Sequence, residues 1–352
     1  MTSRERVLRT LDRKETDRTP INYMANAGID HRLKEHYGLV HNDTEGLLRK
    51  LGVDFRNLWS WYEGPTLHPD IPERGVKVDE WGIHRRWIEH GTGGYWDFCD
   101  FPLQGATLET VRKMPYPNPA NYVYGHIAKT CNDYDDFCLT VGNPGIGDVM
   151  NSSGMIFGVE EMLIRMATGD EAWRYYVDRR AEILLENTRQ TIEAAKGHVD
   201  ILWLGEDLGT QIAPLISLDL FRREIRPRHQ PFIDLAKRYG LRTMIHTCGS
   251  SSWAYPDLIE MGVDIVDTLQ PEATNMDPAY LVAHFGKQLA FHGCISTAII
   301  SQTSVEGTLR HVRDTLDIMR DYAYCLCPTH SIQDNTPVEN VVALYDLANN
   351  VK

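Results

Sequence analysis

The chain has 352 residues, with 36 Lys and Arg against 49 Asp and Glu, a formal charge of −13. At 42% hydrophobic and 24% charged residues, it has the composition of a folded globular protein, which excludes wholesale disorder. The acidic balance without clustered Lys or Arg speaks against nucleic acid as the main ligand, and no apolar run approaches the roughly 20 residues of a membrane span.

The start, Met1-Thr-Ser-Arg-Glu-Arg, mixes charge signs and has no apolar core, unlike a secretory signal. A soluble cytoplasmic protein, monomer or homodimer, is therefore expected. Seven cysteines, an odd number, argue against a disulfide framework in such a chain.

Thr2 and Glu5 fit a capping box and predict a helix at the start. Ser3 as N-cap would lose the reciprocal bond. Asp17-Arg-Thr-Pro20 closes that connection, and Ile21–Met24 reads as a strand. Residues 59–105 are rich in Trp, Tyr, Gly and Pro, and within them 78–88 alternates around a hairpin. These aromatics suit ordinary core, or equally loops at the mouth of a site for a flat or quaternary-ammonium substrate. Helical periodicity covers about 107–132 and again 158–197.

From residue 200 the pattern becomes regular. Apolar strands at 200–205, 241–246, 264–269, 288–292 and 322–326 alternate with helices at 218–239, 253–261, 277–285, 304–320 and 337–349. Five such units predict a parallel sheet covered by helices. With strands near 21, 54 and 139 the total is about eight, as a (β/α)8 TIM barrel requires. A doubly wound sheet is the competing arrangement. No linker or repeat divides the chain, so one domain over 1–352, with an N-terminal helical and aromatic-rich extension, is the simpler expectation.

In a parallel barrel the reactive groups follow the strands. Those positions hold Glu206 and Asp207; His246 and Cys248; Gln270; His292 and Cys294; and Cys325, Cys327 and His330. Thiolate with imidazole is a ligand set for zinc, whose catalytic sites keep three protein ligands and one open position. His246 and Cys248 are two apart at a strand end, so both side chains face the same side. Each thiol alone is more often core than ligand, and Cys99, Cys131 and Cys138 are read as structural. Glu206 and Asp207 suit general acid/base work, a further ligand, or the N-cap of a helix. Gly142-Asn-Pro-Gly145-Ile-Gly147 has neither dinucleotide-loop spacing nor a P-loop lysine, and no His-Glu-x-x-His or Gly-x-Ser-x-Gly occurs.

Several stretches carry a resemblance: Arg4-Glu-Arg-Val-Leu-Arg-Thr-Leu11 with Asp17-Arg-Thr-Pro20, Asp79-Glu-Trp-Gly82, Gly205-Glu-Asp-Leu-Gly209, His246-Thr-Cys-Gly-Ser250, Phe291-His-Gly-Cys294 and His330-Ser-Ile-Gln-Asp-Asn-Thr-Pro-Val-Glu-Asn340. On these the chain resembles the uroporphyrinogen decarboxylase superfamily over nearly its whole length, which implies a TIM barrel. True decarboxylases carry an Arg pair after the first strand to hold substrate carboxylates. Here that stretch is Tyr23-Met-Ala-Asn-Ala-Gly-Ile29, without Arg, and a polycarboxylate needs such partners.

The closer likeness is to the cobalamin-dependent methyltransferase branch, which pairs His-x-Cys with a third ligand, usually Cys. Aligning the Thr-Pro-x-Glu-Asn segment puts His330 in that place, with Cys327 and Cys294 as rivals, and Glu206 where related enzymes offer an acid to the metal. The resemblance thus implies zinc acting as Lewis acid on a small methylated substrate, with a Co(I) corrinoid as methyl acceptor. The chain has no Asp-x-His-x-x-Gly cobalamin signature, so the corrinoid is expected on a separate protein. The aromatic-rich segment favours a methoxylated aromatic as donor. Methylcobalamin:thiol transfer and a metal-free decarboxylase-like reaction are the alternatives.

Overall fold

The computed structural model describes residues 1–91 and 93–351. Its strands are β1 (Phe55–Leu58), β2 (Val76–Val78), β3 (His84–His90), β4 (Gly93–Phe98), β5 (Cys138–Gly142), β6 (Ile201–Gly205), β7 (Arg242–Thr247), β8 (Ile265–Thr268), β9 (Ala290–Ile295) and β10 (Tyr324–Pro328). Seven of them form one parallel sheet in the order β1-β5-β6-β7-β8-β9-β10. Strand order follows chain order, as right-handed crossovers around a TIM-type barrel produce.

The ring closes through Pro20–Asn22. Asn22 N–H donates to Leu326 O and Leu326 N–H to Pro20 O, both at 2.8 Å, and Asp54 N–H donates to Ile21 O at 2.8 Å. The expected strand at 21–24 is not a regular one: only Ile21 and Ala25 form isolated bridges. Side chains have taken the intervening donors, Ile21 N–H going to Asp54 Oδ2 and Tyr23 N–H to Asn22 Oδ1, each at 2.8 Å.

The first helix, Ser3–Leu11, carries the capping box foreseen at Thr2 and Glu5. It plugs the floor of the barrel: Val7 and Leu11 pack with inward side chains of Phe55, Cys138, Ile201, Trp203, Met244, Ile265, Ala290 and Cys325. The larger apolar core lies between the sheet and its helices.

The helical pattern at 107–132 is broken into Leu108–Lys113 and Ile127–Asp133. Pro115, Pro117 and Pro119 lie between them, and without N–H groups they cannot carry a helix across. The stretch 158–197 becomes Val159–Thr168 and Glu171–Ala194, divided at Gly169, whose φ of +69° ends the first helix. The remaining helices fall close to their expected places. No helix among the described residues is long and apolar enough to cross a membrane.

The aromatic-rich segment is an excursion between β1 and β5, where β2, β3 and β4 form an antiparallel sheet. The expected hairpin turns at 79–83, where Asp79 Oδ1 accepts from the Trp81 and Ile83 N–H groups. Trp81 is buried, whereas Trp59, Trp61, Trp87, Tyr95 and Trp96 are exposed, so most of these aromatics are not core. The sheet runs along the mouth: His90 Nε2 is 3.5 Å from Asp334 Oδ2 after β10, and Phe98 lines a cavity with Asp207 after β6.

Candidate metal centre

The alternation of β7 sends His246 into the barrel, and Cys248, two residues on, returns to the same side. Cys248 Sγ lies 3.3 Å from His246 Nε2. Asp207, on the loop after β6, brings Oδ1 to 3.7 Å from the same nitrogen. It is held there by two donors, Cys248 N–H to Oδ1 and Asn151 Nδ2 to Oδ2, both at 2.9 Å. The three ligand atoms lie within 4.8 Å of one another, the one such metal-competent group among the described residues. A tetrahedral zinc with bonds of 2.0–2.3 Å separates its ligand atoms by roughly 3.4–3.6 Å, so the N···S and N···O separations suit that ion.

Electrostatics follow from the geometry. Burial pulls the His246 imidazole down, but its hydrogen bonds to Asp267 and Cys248 outweigh this and raise it well above the ordinary histidine value. Burial raises the Cys248 thiol, and His246 partly opposes the rise. A cation bound to all three would displace the protons, as metal binding to thiol and imidazole requires.

Glu206 lies outside this group. Its carboxylate turns to the start of the helix Met150–Phe157, accepting from Val149 N–H at 2.9 Å and Met150 N–H at 3.0 Å, and meets His229 Nε2 at 3.1 Å. Burial pushes its pKa up to about 8. It therefore caps a helix, although not the one that follows it in the chain. Asp148 beside it is likewise raised to about 8, by burial and then by the charge of Glu206.

The other expected residues divide. Cys294 joins the outer core, because positive φ at Gly293 and Cys294 breaks the alternation of β9. Cys325 packs in the barrel interior and Cys327 is fully buried. His330 is exposed on the loop after β10 and outside the triplet; crowding of its ring, then the charge on His246, lower its pKa. Gln270 shapes the His246 loop, its Oε1 accepting from Gly249 N–H at 2.6 Å. His292 is buried, with Nδ1 2.6 Å from Asp267 Oδ1. Asp267 itself was not among the expected residues. Its Oδ2 lies 2.9 Å from His246 Nδ1 and accepts from Trp203 Nε1 at 3.1 Å. An acid in the middle of the apolar run Ile265-Val-Asp-Thr268 was the signal that could have found it.

Beside Asp207 is an apolar cavity of about 80 Å³, lined among others by Phe98, Met150, Met155 and Met162.

Residues 107–351 match the family described as uroporphyrinogen decarboxylase (URO-D). No curated protein is matched. Among solved structures, a methyltransferase from Methanosarcina mazei superposes with a TM-score of 0.64 at 16% identity, covering 99% of this chain and 98% of that one. A B12-independent methionine synthase from Shewanella sp. W3-18-1, in complex with selenomethionine, gives 0.46 at 12% identity over 86% and 84%. At 16% identity the likeness to the Methanosarcina protein is one of fold.

Proposed function

The chain belongs to the uroporphyrinogen decarboxylase family, and we propose that it is a zinc-dependent methyltransferase. In this reading it moves a methyl group from a small methylated substrate, a methoxylated aromatic, to the Co(I) corrinoid of a separate protein. The observation that carries the proposal is the convergence of Asp207, His246 and Cys248 on one point at the barrel mouth. The methyltransferase fold of the Methanosarcina protein accords with it.

Two observations weigh against decarboxylation of a polycarboxylate. The loop after Pro20–Asn22 has no arginine before Arg32, and the Arg32 guanidinium is committed to the backbone carbonyls of Asp334 and Thr336. The cavity beside Asp207, about 80 Å³, is smaller than the roughly 150 Å³ that admits benzene, and in this reading it takes the methyl-bearing end of the substrate.

Bound zinc would supply Lewis acidity, stabilising charge on the leaving oxygen. The chain's own residues do the rest. His246 and Cys248 would hold the ion from a strand end, and Asp207 is the proposed third ligand in preference to His330. Phe98 and the methionines exclude water from the methyl group. On the strand pair that carries Phe98, Trp87 and Trp96 are exposed and meet edge to face at 5.8 Å, and in this reading they are the surface for an aromatic donor.

The test combines metal analysis with a corrinoid absorbance assay against methoxyaromatics, methanol and methylamines. About one zinc per chain, with turnover abolished by chelation, is the expected result; full activity in metal-free protein would refute it. Asp207→Asn should lower zinc content more than His330→Ala, and the reverse order would move the third ligand to His330. X-ray absorption showing a thiol bound at zinc, with methylcobalamin as donor, would reverse the direction to thiol methylation.

A further inference from the structure

Behind the metal corner, the barrel interior holds a buried polar chain that the proposed reaction does not use. We propose that this chain, from Asn22 through His292 to Asp267, fixes which nitrogen of His246 faces the cation, making Asn22, His292 and Asp267 positioning residues of the centre. The inference rests on the metal reading for its purpose, though not for its geometry.

The chain can be followed proton by proton. Asn22 Oδ1 accepts from Tyr23 N–H at 2.8 Å, which identifies the other amide atom, 3.0 Å from His292 Nε2, as the Nδ2 donor. An amide NH2 only donates, so His292 Nε2 accepts and its ring proton sits on Nδ1. That proton points at Asp267 Oδ1, 2.6 Å away. The second oxygen, Oδ2, takes the Trp203 indole N–H at 3.1 Å, again a group that can only donate. Asp267 is completely buried, and its carboxylate is balanced by donors alone.

His246 Nδ1, 2.9 Å from the same Oδ2, must therefore present its proton to the acid. The Thr268 hydroxyl, 2.7 Å from Nδ1, is the weaker acceptor, because hydrogen bonds to an ionised carboxylate are the stronger ones. The nitrogen left to bind a cation is Nε2, the one beside Cys248 Sγ and Asp207 Oδ1. A carboxylate behind a ligating imidazole fixes its tautomer and orientation. Here that carboxylate is itself oriented by Trp203 on β6 and by His292 on β9, so four inward side chains from four adjacent strands act as one unit. Asn22, on the segment that closes the ring, sets its polarity.

The experiment is nitrogen-15 NMR of histidine-labelled protein, with His246→Gln and His292→Gln used to assign the two rings, alongside zinc competition against a chromophoric chelator. In the metal-free wild type, His292 should carry its proton on Nδ1 alone, and His246 should be protonated at Nδ1. Asn22→Asp places an acceptor opposite His292 Nε2 and should add a proton there. Asp267→Asn should weaken zinc binding on the order of 10–100-fold with the far-UV spectrum unchanged. His292 protonated on Nε2 in the wild type, His246 protonated on Nε2 alone, or unchanged zinc affinity in Asp267→Asn would each overturn the proposal. If the wild type takes up no zinc, the metal reading fails, while the proton positions still decide the chain.

Discussion

The two ends of the barrel treat buried charge differently. At the floor, Asp54 is fully buried and saturated: Arg6 Nη1 at 2.6 Å, Arg18 Nη1 at 2.7 Å, Ser3 Oγ at 2.7 Å and Ile21 N–H at 2.8 Å all meet its carboxylate. These partners tie the first helix and the ring-closing segment to β1, so the floor charge serves assembly. At the mouth, Asp267 is equally buried, but its donors are side chains whose far ends lead elsewhere, one of them to the Nε2 of His246 beside Cys248 and Asp207. The backbone at the ends of β8 and β9 is also strained: Thr268, Leu269 and Cys294 have φ of +87°, +53° and +67°. Non-glycine residues in that region cost of order 1–3 kcal/mol each and gather at functional sites. One sheet thus carries a structural end and the end at which the metal centre is proposed.

Mutations that act at one end only would sharpen this contrast. The largest effect is expected from Asp54→Ala, which strands two guanidinium groups and should cost about 3–5 kcal/mol in urea unfolding while leaving zinc per chain unchanged. Loss of zinc in that variant would break the separation of the ends. Cys248→Ser should do the opposite, lowering zinc affinity by more than the roughly 100-fold upper end of outer-partner effects while hardly moving the unfolding midpoint, because Cys248 is only half-buried.

Acid and base should separate the ends as well. Asp148 and Glu206, near the mouth, are raised by burial from 3.8 and 4.5 to about 8. Their folded values exceed the unfolded ones, so their contribution is fully present below about pH 4 and is lost as pH rises toward 8. Asp17 at the floor is lowered to about 2, chiefly by its hydrogen bond to Arg6, and its contribution is instead lost as pH falls from 3.8 through 2. Melting temperature should therefore decline between about pH 6.5 and 8, above the range in which His229, lowered by burial to about 4, adds the opposite slope, and the double variant Asp148→Asn/Glu206→Gln should flatten that decline. A decline that persists unchanged in the double variant would contradict the assignment. The smallest effect is expected from Thr2→Ala, which removes the floor helix's cap and should cost about 1 kcal/mol in the same urea assay.

Particular residues show how far reading the chain could reach. His246 and Cys248 were legible because a period of two is a property of the strand itself. Glu206 and Asp207 were legible as a pair but not as individuals: neighbours in sequence, they diverge, one to a helix start contributed by Val149 and Met150, the other to Cys248. Ile21–Met24 looks like a strand by composition, yet Asp54 and Asn22 side chains take the hydrogen bonds its ladder would have used. The exposed tryptophans of β3 and β4 were ambiguous, because composition does not say which face a hairpin turns to water.

Local pattern alone determined a parallel sheet of strand–helix units, the capped first helix, and a histidine and a thiol on one side of a strand end, since each depends on periodicities and offsets within a few residues. Tertiary structure decided that Asp207 rather than Glu206 joins them, that Cys294 turns outward, and that Asp267 stands behind His246. Those outcomes depend on which groups from distant strands arrive within 3 Å of one another, and in a closed ring that is set by register across the whole sheet, a quantity no short stretch of sequence contains.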